Sequence, residues 1–164
     1  MTPDHFRTFA RYNAWANDRL YAACALLTDA EFRTSRQAFF GSIMGTLNHI
    51  LVGDRAWFGR LEGVPSGITH LDQILFEDLT ELTRARVVED ERIRTFVDGL
   101  DAEALEHEVV YRTMVGAEHR TPMPWVLSHL FNHQTHHRGQ VHALLSQTTV
   151  KPPPLDLIFF LRER

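Results

Sequence analysis

The chain of 164 residues has a single cysteine, Cys24. That excludes an intramolecular disulfide framework and a four-cysteine zinc site, and it accords with a reducing compartment. Neither sign of charge is in large excess: 17 lysines and arginines stand against 21 aspartates and glutamates, a formal net charge of −4. A general nucleic-acid binder carries a basic patch, and this balance gives no sign of one. No apolar run approaches the roughly 20 residues that a membrane-spanning helix needs. The start, Met1-Thr2-Pro3-Asp4-His5-Phe6, has no basic residue leading into an apolar stretch, so no signal peptide is read there. The expectation is a cytoplasmic protein with neither a nucleic-acid nor a membrane partner. Internal repeats and low-complexity tracts are missing too. Hydrophobic residues at 44% and charged residues at 23% make an ordinary globular composition. The length suits one domain, residues 1–164, with a sizeable core.

Glycine and proline are sparse, 9 and 7 residues, and they gather between long uninterrupted segments. From about Pro3 to Leu27, apolar residues recur at helical spacing through Phe6, Phe9, Ala10, Leu20, Cys24 and Leu27. Thr2 before Pro3 suits a helix start. A second helix is predicted from about Ser42 to Leu61, with Ile43, Leu47, Ile50, Trp57 and Leu61 on one face, ending at Gly63-Val64-Pro65-Ser66-Gly67. A third runs from about Leu75 to Leu100 and stops near Asp98-Gly99; a fourth follows Pro122-Met123-Pro124 and reaches about Gln147. Between them, Glu108 to Thr113 is β-branched and aromatic and Thr113 to Glu118 suits a turn, so a short β-hairpin is expected there. An apolar tail, Leu155 to Leu161, closes the chain. The fold class is all-α, and four long amphipathic helices bury their stripes most simply as a four-helix bundle.

What is abundant is histidine. There are ten, five of them between His129 and His142. On the fourth helix Val126, Leu130, Val141 and Leu144 span roughly 60° and mark a core stripe. His133 and His137 fall on or beside it, His129 and His136 on its flank, and His142 nearly opposite. An i, i+4 pair puts two imidazoles on one face, one turn apart, where they can share a metal ion. The alternative is a pair of satisfied core histidines or a pH-sensitive polar layer, since inward imidazoles without partners are costly. A catalytic zinc-like site needs a third protein ligand. Of the other histidines, only His49 sits mid-helix, in a narrow stripe of small residues: Ser42, Gly45, Gly53 and Ala56. That stripe reads equally as tight helix packing, and His49 lies roughly 100° from the apolar centre of its helix.

Several polar residues interrupt apolar stripes. Asp54 needs a partner there: it either orients a histidine or pairs with an arginine such as Arg138. Asn13 and Asn17 line a polar pocket or cap a buried network. Arg86 and Glu89 form a salt bridge or an oligomer surface. Cys24 lies on an apolar stripe and reads as inert core.

Tyr12-Asn13-Ala14-Trp15-Ala16-Asn17, Leu47-Asn48-His49-Ile50-Leu51-Val52-Gly53-Asp54-Arg55-Ala56-Trp57, and His129 through Gln140 resemble the DinB/YfiT-like family. The resemblance spans the first, second and fourth helices, and the last stretch is the most specific. It implies an up-down-down-up four-helix bundle with a divalent metal, zinc or nickel, on His49, His133 and His137. It also implies a homodimer. The superfamily includes thiol S-transferases that join a low-molecular-weight thiol to an electrophilic small molecule. A three-histidine site with an open position activates a thiol or a water, so a metal-dependent transferase or hydrolase is expected, with His136, Arg138 and Asn13 as candidates to orient or stabilise substrate. The competing expectations are a non-catalytic dimeric bundle with a structural or sensory metal, and a metal-free bundle whose histidines form a polar network.

Overall fold

A computed structural model describes residues 1–163. The four long helices are α1 (Pro3–Cys24), α3 (Ile43–Glu62), α4 (Leu79–Asp98) and α5 (Met123–Leu145), with short helices α2 (Asp29–Arg33) and α6 (Leu157–Arg162). The starts follow from side chains that satisfy the first free N–H groups. Thr2 accepts from His5, Ser42 from Gly45 and Asp78 from Glu81, while Thr28 and Glu31 form a reciprocal capping box. Gly63 ends α3 at φ 68°, a conformation that favours glycine. Two of the expected helices are shorter than their patterns suggest: α1 stops at Cys24 rather than Leu27, and α4 starts at Leu79 rather than Leu75.

Helix directions are read from the contacts. Arg7 bonds the carbonyls of Asp98 and Leu100, and Asn17 bonds Asp90, so α1 and α4 are antiparallel. Phe9 meets Phe131 and Asn13 meets Arg138, so α1 and α5 are parallel. His49 opposite His137 and Trp57 opposite His129 make α3 and α5 antiparallel. Arg86 on Asp54 and Arg92 on Glu62 make α3 and α4 parallel. The arrangement is up-down-down-up, with consecutive α1 and α3 on a diagonal. The expected hairpin is present, β1 (Glu108–Arg112) paired antiparallel with β2 (Glu118–Pro122), Tyr111 opposite His119.

The core has two apolar halves. Leu20, Phe32, Ile43, Leu47, Leu51, Leu82, Val141 and Leu145 fill one; Phe6, Phe58, Ile93, Val97, Leu127, Leu130 and Phe131 fill the other. Across the bundle runs a buried polar group drawn from all four long helices: Asn13, Asn17, Asp54, Arg86, Asp90, Gln134 and Arg138. Two arginines and two aspartates balance its charge. Asp54 accepts from Arg86 at 2.5 Å and from the Gln134 amide. Asp90 accepts from Asn13 and Asn17 and faces Arg86 at 3.1 Å. Arg138 donates to Asn13 and Gln134. The partner of Asp54 is therefore Arg86, not Arg138, because Gln134 stands between Asp54 and Arg138 and bonds both. Burial pushes the Asp54 carboxyl up to about 7 against the pull of Arg86.

The tail packs on its own bundle. Tyr12 donates to the Leu155 carbonyl, Trp15 to Glu163, and Arg19 pairs with Glu163 at 2.7 Å.

Candidate metal centre

The α3 helix is buried on almost every side, from Ile43 to Gly59. Besides α4 and α5, the segment 63–78 crosses it. Asn48 pins that segment: its Oδ1 accepts from the Leu75 and Phe76 N–H groups, and its amide donates to the Phe76 carbonyl. The same segment brings the Leu71 carbonyl to His49 Nδ1 at 2.8 Å. A carbonyl only accepts, so the proton sits on Nδ1 and His49 Nε2 carries a bare lone pair.

That lone pair points at α5. His49 Nε2 lies 3.1 Å from His133 Nε2 and 3.1 Å from His137 Nε2, and the three nitrogens fall within 4.8 Å of one another. His137 Nδ1 meets Gln140 Oε1 at 2.8 Å, and the Gln140 amide faces His136 Nε2 at 3.2 Å. This leaves the Nε2 of His137 unprotonated as well. Burial depresses the pKa of all three imidazoles, His133 to about 3 and His137 to about 4. At neutral pH they are uncharged. A proton on His133 Nε2 satisfies one contact only, so the His49–His137 contact still sets two lone pairs head to head. A cation at the centre removes the conflict. Three imidazole nitrogens about 2.0–2.1 Å from a tetrahedral zinc stand about 3.3 Å apart, close to the spacing seen, so these residues fit a divalent ion.

The small-residue stripe on α3 has a specific reason. A Cβ at Gly53 would lie 2.7 Å from His133 Cε1, so only glycine lets this imidazole approach. Phe40 stacks on His49, ring centroids 3.8 Å apart at 17°. His49 and His137 are buried while His133 is half-buried, and His129 and His136 are exposed beside them. The centre is thus closed on the Phe40 side and reachable past His133.

The structure brings His49, His133 and His137 together. It places His136 beside them at the rim, its ring 4.7 Å from that of His137. Arg138 and Asn13 are not in this group; both lie in the polar interior, bonded to each other. His142 bonds the Pro153 carbonyl. His129 packs on Trp57, and partial desolvation of its ring together with the charge of Arg60 lowers its pKa. Phe40, the Leu71 carbonyl and Gln140 complete the centre, and the sequence pattern carried no signal for the first two. Gln140, three residues after His137, was legible only as a member of the family-like stretch.

Comparison with known proteins agrees with this picture. The DinB family model matches residues 1–164. The chain belongs to the DinB family. It is 29% identical over 160 residues to Protein DinB of Bacillus subtilis (strain 168), covering 92% of this chain and 90% of that protein. Its fold is that of a DinB-like protein from Bacillus cereus ATCC 10987 known from its crystal structure, with a TM-score of 0.67 and 18% identity over 89% of this chain and 94% of that one. In this DinB family member, no helix among the described residues is long and apolar enough to cross a membrane.

Proposed function

We propose that the protein is a divalent-metal-dependent enzyme of the thiol S-transferase type, with His49, His133 and His137 holding zinc or nickel. The observation that carries this reading is the convergence of three Nε2 atoms at a place where His133 remains half-exposed. A bound ion with an open position would lower the pKa of a thiol or water held there, supplying a nucleophile at neutral pH. The chain's own groups do the rest. The Leu71 carbonyl and Gln140 hold two imidazoles with their Nε2 lone pairs aimed inward. Phe40 covers His49 and keeps water from that side. His136 stands at the rim, where it can orient an electrophilic small molecule. The thiol sulfur forms the new bond to the electrophilic carbon, the leaving group departs with the bonding pair, and the thiol proton passes to solvent. A hydrolase would use the same donor set with water as the nucleophile. The reading puts the protein in the cytoplasm, where low-molecular-weight thiols are reduced, and in a homodimer.

The test is a rate assay. Zinc- or nickel-loaded protein is mixed with a panel of low-molecular-weight thiols and a chromogenic electrophile, with activated esters as the hydrolase arm. Metal-dependent acceleration that disappears in His137→Ala supports the reading. Stoichiometric metal without acceleration of any pair contradicts it and leaves a structural or sensory metal.

A further inference from the structure

Every buried or half-buried arginine among the described residues has a hydrogen bond or an ion pair, except one. Arg7, Arg19, Arg33, Arg55, Arg86 and Arg92 pair with acids, while Arg36 and Arg138 bond carbonyl, amide or hydroxyl oxygens. Arg60 has neither. Its guanidinium carbon lies over two rings, 4.6 Å from the Trp57 centroid and 5.3 Å from that of Tyr111. Glu62, two residues further along the chain, pairs with Arg92, and Glu118, opposite Arg112 in the hairpin, pairs with Arg112. A half-desolvated cation with no hydrogen-bond or ion-pair partner is a seat for an anion.

The surroundings are built as a cavity. Arg60 lines a space of about 490 Å³ between α3, β1 and the segment 63–69, together with Ser66, Thr69, Tyr111, Arg112 and Thr113. The oxygens of Ser66 and Thr113 accept from the N–H groups of Ile68 and Ala117, which leaves each hydroxyl proton to donate to an acceptor in the cavity. The cavity lies further along α3 from the three histidines, none of which lines it. Ala56 and Arg60 follow Gly53 along α3, and the segment that walls the cavity continues into Leu71, whose carbonyl holds His49. Side chains on a helix lean toward its N-terminus, which for Arg60 is toward the histidines. Trp57 packs on His129, and His129 lies 5.9 Å from His133. Arg60 lies seven positions after Gly53, on the order of 10 Å along the helix.

We infer that this cavity is a carboxylate-anchoring subsite, in which Arg60 binds the carboxylate of a small substrate whose reacting end lies about two helical turns away at the three histidines. The inference names the substrate class and rests on the proposed function for its second half. The other guanidinium of the cavity, Arg112, is paired with Glu118, so Arg60 is the one cation left to a ligand, and with neutral hydroxyls it matches one planar, singly charged carboxylate; a phosphate dianion would ask for a second unpaired cation.

The test follows the Trp57 indole N–H signal by nuclear magnetic resonance at low salt, in metal-free and zinc-loaded protein. The probes are succinate, glutarate and inorganic phosphate. Succinate is expected to shift that signal in both forms of the protein. Arg60→Ala is expected to weaken succinate binding about tenfold or more, Arg60→Lys to weaken it less, and exposed Arg84→Ala to leave it unchanged. Should Arg60→Ala not fold, Arg60→Lys carries the comparison, since it keeps the charge and loses the planar fork. Glutarate, longer by one methylene, is expected to gain more than succinate from zinc as its far end approaches the ion. A Trp57 signal unmoved by succinate, equal binding by wild type and the Arg60 variants, or tighter binding of phosphate overturns the inference. Failure of the metal centre alone is distinguishable, because the metal-free protein would still bind succinate through Arg60.

Discussion

At the scale of single residues, the centre depends on Gly53 as much as on the imidazoles. Any side chain there drives into the ring of His133, and that ring cannot retreat without leaving His49. Gly53→Ala is therefore expected to keep the helix, since alanine is the better helix former, yet to weaken metal binding about 10- to 100-fold, the scale of a disturbed supporting contact. Competition with a chromogenic chelator measures this. Unchanged affinity in Gly53→Ala would mean that His133 is not a ligand in the position described. His49 shows why residue patterns went only part of the way. A wheel sorts residues by one buried face, but α3 is buried nearly all round, so no stripe could single out this histidine. Its assignment in the sequence rested on resemblance, whereas the i, i+4 pair on α5 was legible from spacing alone.

At the scale of elements, α5 carries two offset pairs. His133 and His137 face α3, and the next residues along, Gln134 and Arg138, face the interior. Reading only apolar residues made the core stripe of α5 too narrow and centred it on the histidines. With Leu127, Phe131, Gln134, Arg138 and Leu145 included, the buried face widens to about 140° and the histidines lie at its edge. Polar residues that satisfy one another across four helices are invisible to a hydrophobic pattern. The same polar group also fixes the fate of Asp54. Asp54→Ala strands the buried Arg86 with Asp90 as its remaining acid, and a broken buried ion pair costs about 3–5 kcal/mol. Urea unfolding is expected to show that loss, with metal uptake retained by the folded fraction. Full stability together with lost metal would mean instead that Asp54 acts on the histidines.

At the scale of the whole molecule, the histidines tie stability to pH. In the metal-free protein the folded pKa values of His133 and His137 fall to about 3 and about 4, below the value of about 6.5 in an unfolded chain. Above that value both states are neutral and nothing is lost. As pH drops from about 6.5 toward 4 and then 3, the unfolded chain takes up protons that the folded one refuses, so stability falls. The raised Asp54 carboxyl acts in the opposite sense, so the contribution of the histidines is the difference between wild type and the His133→Ala, His137→Ala double variant. Denaturant midpoints at steps of pH are expected to fall more steeply with acid in the wild type. A metal ion steepens the same trend, because protons compete for its ligands. The bundle itself was legible from sparse glycine and proline, helical periodicity and caps. The crossing of segment 63–78 over α3 was not, since it hangs on one buried amide, Asn48, that no periodicity marks.

The central claim is that the three histidines are ligands of one ion. It is tested most directly by plasma mass spectrometry of untagged protein, for wild type and for the His49→Ala, His133→Ala and His137→Ala variants. About one divalent ion per chain in the wild type, lost in each folded variant, is the predicted result. A wild type that carries no metal and takes up neither zinc nor nickel would contradict the account and leave a polar histidine network in a helical bundle.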